Sequence, residues 1–137
     1  MHIPGLKIIY PSSPYDAKGL LASAINDPNP TLFFEHKLLY RTQKQDIPKD
    51  LYSIDIGKAR TIQKGDDITI ITYGLSTIWM KEIMEPLSKK GISVELIDLR
   101  TLMPWDKELV YNSIKRTNRA LIIHEANEIG GVGAEIS

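Results

Sequence analysis

ITIITYGLSTIWMKEIMEPLSKKGISVELID, residues 68–98, decides the fold. ITIIT (68–72) and SVELID (93–98) are short, near-continuous apolar runs rich in β-branched residues. Such runs suit strands covered on both faces, as in parallel sheets. The segment between them has a helical period from Leu75 to Lys90, with Leu75, Trp79, Ile83 and Leu87 on one face. Pro86 lies inside it and predicts a kink or an earlier stop. Strand, helix and strand in this order form the unit of a parallel α/β fold.

The pattern repeats outward. LKIIY (6–10), TLFFE (31–35) and ALIIHE (120–125) read as further strands. A helix is expected from Pro14 to Asn26, with Ser13 as N-cap, Pro14 at the first helical position and Asp16 in the first turn. Ala17, Leu20, Leu21 and Ala24 make its buried stripe. Another helix is expected from Pro104, with Asp106 and Glu108 in its first turn and Lys115 and Arg116 in its last, matching the macrodipole at both ends. Between Tyr40 and Ile62 the pattern breaks. RTQKQDIPKDLYSIDIGKAR is polar, contains Pro48 and Gly57, and reads as a linker. The expected division is therefore a small βαβ piece over 1–40, a linker over 41–57 and a second α/β unit over 58–137. Both ends read as cut: some forty residues bury little core alone, and IGGVGAEIS stops as a new helix begins.

Composition narrows the function. The 137 residues carry 17 basic and 17 acidic side chains, with no block of either sign. That leaves no electrostatic footprint for nucleic acid or an anionic membrane. No apolar run approaches the ~18–20 residues that span a bilayer. Cysteine is absent, which removes disulfides, thiolate zinc sites and cysteine nucleophiles, and the expected compartment is a reducing interior such as the cytoplasm.

Several groups carry possible chemistry. In INDPNP (25–30), the carbonyls of Ala24 and Ile25 lie at the negative end of a helix, followed by the Asp27 carboxylate and the Asn29 amide oxygen. Such hard oxygens suit a group I or II cation; a proline-stopped helix end is the plain alternative. His2 reads as a solvent-exposed terminal imidazole and His36 as surface. His124, at a strand's carboxyl end, is either placed for a ligand or paired with Glu125. Gly130, Gly131 and Gly133 invite a phosphate reading, but their spacing is not G-x-G-x-x-G, and tight backbone packing is the better account. DLRTLMPWD (98–106) reads as a polar loop feeding a helix, its Arg100 either contacting an anion or partner or pairing with Asp98. No nucleophilic triad, Walker motif or paired-carboxylate pattern is present.

Three of these strings together resemble one family. HIPGLKIIYPSSPYDAKGLLASAINDPNPTLFFEHKLLYR, VELIDLRTLMPWD and HEANEIGGVGAEIS are similar to the β-subunit of thiamine-diphosphate-dependent 2-oxo acid dehydrogenases, of the pyruvate and branched-chain 2-oxo acid complexes. The resemblance implies the tail of a transketolase-type pyrimidine-binding domain followed by most of a transketolase C-terminal-like domain. It implies oxidative decarboxylation of a 2-oxo acid on thiamine diphosphate and magnesium, with acyl transfer to a lipoyl carrier. His2-Ile3-Pro4-Gly5 matches the family's active-site H-x-P-G, and Ala24, Ile25, Asp27 and Asn29 match positions of a structural potassium site. The family's activating Glu falls upstream of this chain, and the diphosphate and magnesium belong to the partner, so the chain alone is expected to bind no cofactor and to be inactive. Expected partners are an α-subunit or fused α-half, a second β-subunit and the lipoyl-acyltransferase core, in the cytoplasm or mitochondrial matrix. Another transketolase-like enzyme, such as deoxyxylulose-phosphate synthase or transketolase, and a non-catalytic assembly module are the alternatives.

Overall fold

The computed structural model describes Met1 and residues 3–137; His2 lies outside the described residues. Strand β1 (Lys7–Ile9), helix α1 (Pro14–Asn26) and strand β2 (Thr31–Phe33) form the expected parallel unit. Ser13 caps α1 by accepting the Asp16 N–H, with Pro14 just inside. A single turn, α2 (Leu39–Thr42), follows.

The second unit contains β3 (Arg60–Gln63), β4 (Ile68–Thr72), α3 (Leu75–Lys89), β5 (Val94–Asp98), β6 (Thr101–Met103), α4 (Lys107–Thr117), β7 (Ala120–Ile122) and the short α5 (Val132–Ile136). Its sheet has the order β3-β5-β4-β7, with β4 parallel to both β5 and β7 and β3 antiparallel at one edge. All five residues of β5 are buried, including Glu95 and Asp98, which side-chain partners hold. By contrast, β7 is a half-exposed edge strand.

Four expectations change. Residues 101–103 are a strand, not loop: β6 pairs antiparallel with β1, so the first sheet has the order β2-β1-β6. Helix α4 starts three residues late, because Asp106 caps it by accepting the Leu109 N–H at 3.1 Å. Pro86 does not end α3, which runs on to Lys89. And Trp79 and Ile83 are exposed, while Met84 is buried and Met80 and Leu87 pack beside it. An i, i+4 series drifts by ~40° per step around a 3.6-residue helix, whereas residues 77, 80, 84 and 87 stay on one face. In α1, Leu21 is likewise exposed, and Asp16, Gly19 and Leu20 face inward.

One core joins the units. Ile8 of β1 packs in the same cluster as Ile71, Ile97, Leu99, Leu102, Trp105 and Val110. Residues 45–54 are laid along α1 instead of hanging free. Lys18 Nζ donates to the carbonyls of Pro48 and Asp50, and Tyr52 stacks on Tyr15 with centroids 4.6 Å apart. Gly19 permits this approach: a Cβ there would lie 2.7 Å from atoms of Tyr52 and Ile54. Among the described residues, no helix is long and apolar enough to cross a membrane.

Candidate functional site

Three groups of polar side chains lie where the two units meet or where α1 ends. The most buried is built on Asp16, in the first turn of α1 and without solvent exposure. Its Oδ1 accepts from Arg100 Nη1 at 3.0 Å, and its Oδ2 faces Arg60 Nη1 at 3.0 Å. Arg100 also donates to the carbonyls of Lys58 and Ala59. Its backbone has φ 58°, in the left-handed region, so the β5–β6 corner turns the guanidinium back toward α1. Of the two readings open for Arg100, the side-chain pair with Asp98 is not formed; Asp98 meets only the Arg100 backbone N–H, at 3.1 Å. Asp98 accepts from Ser12 Oγ at 2.5 Å and has Arg60 at 3.9 Å. Burial raises its carboxyl to about 6, against the lowering pull of Ser12 and Arg60, with nearby Asp16 adding to the rise.

The second group surrounds the carboxyl ends of β2, β4 and β7. Tyr10 packs on Tyr73 (5.5 Å between centroids), and Tyr73 stacks on His124 at 5.9 Å. Burial, reinforced by Tyr10 and Glu125, pushes Tyr73 up to about 12. Glu125, the partner in one of the two readings of His124, instead faces His36 Nε2 at 3.6 Å, which makes His36 a half-buried contact between units. His124 presents Nδ1 to the Ala126 N–H and Nε2 to the Gly133 N–H, each at 3.1 Å. A neutral imidazole has one bare nitrogen and so accepts from one of them. Gly131 and Gly133 serve packing: a Cβ on Gly133 would sit 2.5 Å from His124 Nε2, and one on Gly131 2.2 Å from the Asn127 carbonyl oxygen. Gly130, by contrast, has open space around it and is needed for its φ of 75°.

The third group is the turn after α1. Asp27 Oδ2 is bonded by Lys7 Nζ, from the start of β1. Its Oδ1 accepts from the Asn29 N–H at 2.9 Å and from Asn29 Nδ2 at 3.0 Å. These donors, Lys7 first, hold the Asp27 carboxyl down at about 2. A metal ion at Asp27 would compete with these donors, one of them a cation. Among the described residues no group of three or more His, Asp or Glu could hold a metal. Sequence reasoning missed Lys7, whose position is set by the pairing of β1 with β2.

The fold and these contacts define an α/β protein in which a small parallel unit is locked to a larger mixed-sheet unit. Its family follows from comparison. Residues 57–137 match the family described as "Transketolase, C-terminal domain", and residues 1–43 match "Transketolase, pyrimidine binding domain". The chain belongs to the transketolase C-terminal domain family. It is 49% identical over 136 residues to "2-oxoisovalerate dehydrogenase subunit beta 2, mitochondrial" of Arabidopsis thaliana, covering 99% of this chain and 38% of the relative. It is 46% identical over 134 residues to "Pyruvate dehydrogenase E1 component subunit beta" of Acholeplasma laidlawii, covering 98% of this chain and 41% of the relative. The chain thus spans well under half the length of these curated relatives. The solved structure "Split gene transketolase, inactive beta4 tetramer" superposes with a TM-score of 0.82 at 22% identity, over 98% of this chain and 44% of that one; at such identity the likeness carries the fold alone.

Proposed function

We propose that this chain forms part of the β-subunit, or β-half, of a 2-oxo acid dehydrogenase, with residues 41–57 connecting a pyrimidine-binding tail (1–40) to a C-terminal domain (58–137). The observation that carries this is identity of 46–49% running through both units, in one order, to β-subunits of the 2-oxoisovalerate and pyruvate enzymes. When bound, thiamine diphosphate supplies the carbanion chemistry that removes carbon dioxide from the 2-oxo acid. Each buried carboxylate described here is already engaged: Asp16 with Arg60 and Arg100, Asp98 with Ser12, Glu95 with Ser113 and Arg116, Asp106 with Ala59 and Leu109. These contacts serve the fold, and the proposed partner α-subunit or α-half holds the diphosphate and magnesium.

His2 is assigned acid–base work during acyl transfer on the H-x-P-G match, since an imidazole exchanges protons near neutral pH. The Tyr10–Tyr73–His124 stack and the Asp16–Arg100 pair hold the two units together. An α-subunit, a second β-subunit and a lipoyl-acyltransferase core are the proposed partners, in cytoplasm or mitochondrial matrix.

The test is reconstitution. The whole gene product, co-expressed with a 2-oxo acid dehydrogenase α-subunit, is assayed with thiamine diphosphate, magnesium and an artificial electron acceptor. Reduction dependent on 2-oxoisovalerate or pyruvate supports the reading. Ketose-phosphate conversion without any α-subunit would replace it with a transketolase.

A further inference from the structure

We propose that the Lys7 ammonium is the resident cation of the turn after α1, standing where a monovalent metal ion would otherwise be required. The last turn of α1 ends in carbonyls without intrahelical partners and forms the negative pole of the helix. No basic residue lies in that turn to offset it, and Asp27, at the C-cap, adds a full negative charge. Asp55 lines the same cavity from the connecting segment. Among the lining residues Lys7 is the only base, and it meets the Asp27 carboxylate at a helix C-terminus.

Its position comes from the backbone. The Lys7 N–H donates to the Pro30 carbonyl at 3.0 Å, and Lys7 is the register partner of Thr31. Strand pairing therefore delivers the side chain to the turn, where Nζ meets Asp27 Oδ2. The other oxygen, Oδ1, is taken by the Asn29 N–H and side-chain amide. A metal ion entering here would have to displace the ammonium or sit against it, and like charges a few ångströms apart repel. A tethered ammonium has a further advantage over a free ion, because covalent attachment fixes a high effective concentration.

This inference does not depend on the enzymatic reading, since melting of the chain needs neither partner nor substrate. The protein is melted in potassium chloride and in choline chloride at equal ionic strength, as wild type, Lys7→Met and Lys7→Arg. The wild type and Lys7→Arg should melt at one temperature in both salts. Lys7→Met should melt lower in choline by roughly 2–4 °C and recover in potassium. A wild-type melting temperature raised by potassium over choline would overturn the proposal. So would a Lys7→Met protein that melts like wild type in choline, or one that potassium does not restore. Should Lys7→Met not fold, Lys7→Arg decides: a melting temperature that rises with potassium overturns the proposal, and one that does not supports it.

Discussion

Arg100 and Asp16 are 84 positions apart in sequence and 3.0 Å apart in space, a buried ion pair tying the β5–β6 corner to the first turn of α1. Neither charge is isolated: Arg60 shares Asp16, and two backbone carbonyls share Arg100. A buried pair is costly to halve, because the remaining charge keeps its desolvation penalty without its partner.

Arg100→Met should therefore destabilise the protein by about 3–5 kcal/mol, the usual scale for removing one partner of a buried pair. The midpoint of urea unfolding reports it. Loss below ~1 kcal/mol, typical of an exposed pair, would show that Arg60 alone satisfies Asp16.

Asp98 predicts a pH dependence of definite sign. Its carboxyl rises from 3.8 to about 6 on folding, so between these values the native state binds more protons than the unfolded chain. This group therefore lowers stability as pH climbs from about 4 to about 6, with no further change above, by ~3 kcal/mol for a shift of this size. Asp98→Asn should remove that component. Urea midpoints measured from pH 4.5 to 7.5 should show the variant gaining on the wild type as pH rises. Parallel curves would refute the assignment.

Gly133→Ala should cost about 1–3 kcal/mol, the range for forcing an atom into packed space, since its Cβ meets the His124 ring. Combining it with His124→Ala should recover part of the loss. Thermal melts of the four proteins in the cycle give the coupling; strict additivity would mean that the ring moves aside freely.

His2→Ala should lower turnover in the reconstituted enzyme by roughly 10²-fold or more, the scale of a positioned acid–base group. Melting temperature should stay at the wild-type value. Normal turnover in the lipoyl acceptor assay would withdraw the H-x-P-G assignment.

The sequence revealed the elements that depend on long apolar runs. Ile68–Thr72 and Val94–Asp98 are parallel strands made recognisable by Ile70, Ile71, Val94, Leu96 and Ile97, which enter the core. Thr101–Met103 was hidden, because three residues before a proline carry no period and its partner β1 lies far away in sequence. Trp79 and Ile83 misled because hydrophobicity does not say which side of α3 meets the sheet. At the site, the chemistry of Asp27 was visible, but its counter-charge was not, because Lys7 arrives through strand register. Arg100 was legible as a residue needing a partner; the choice of Asp16 over the adjacent Asp98 depended on a left-handed backbone at that position.

The pairing of β1 with β6 also sets an order of assembly. Ile9 near the start of the chain waits for Thr101 before the three-stranded sheet is complete. During synthesis β1 and β2 emerge able to pair, with β6 not yet there to cover the other edge of β1. Contacts this far apart in sequence slow folding, since a long loop must close before they form. The open edge is meanwhile a template for another strand. The β1–α1–β2 unit is thus secured only after residue 103 has left the ribosome, and until then it is exposed to mispairing or to capture by a chaperone.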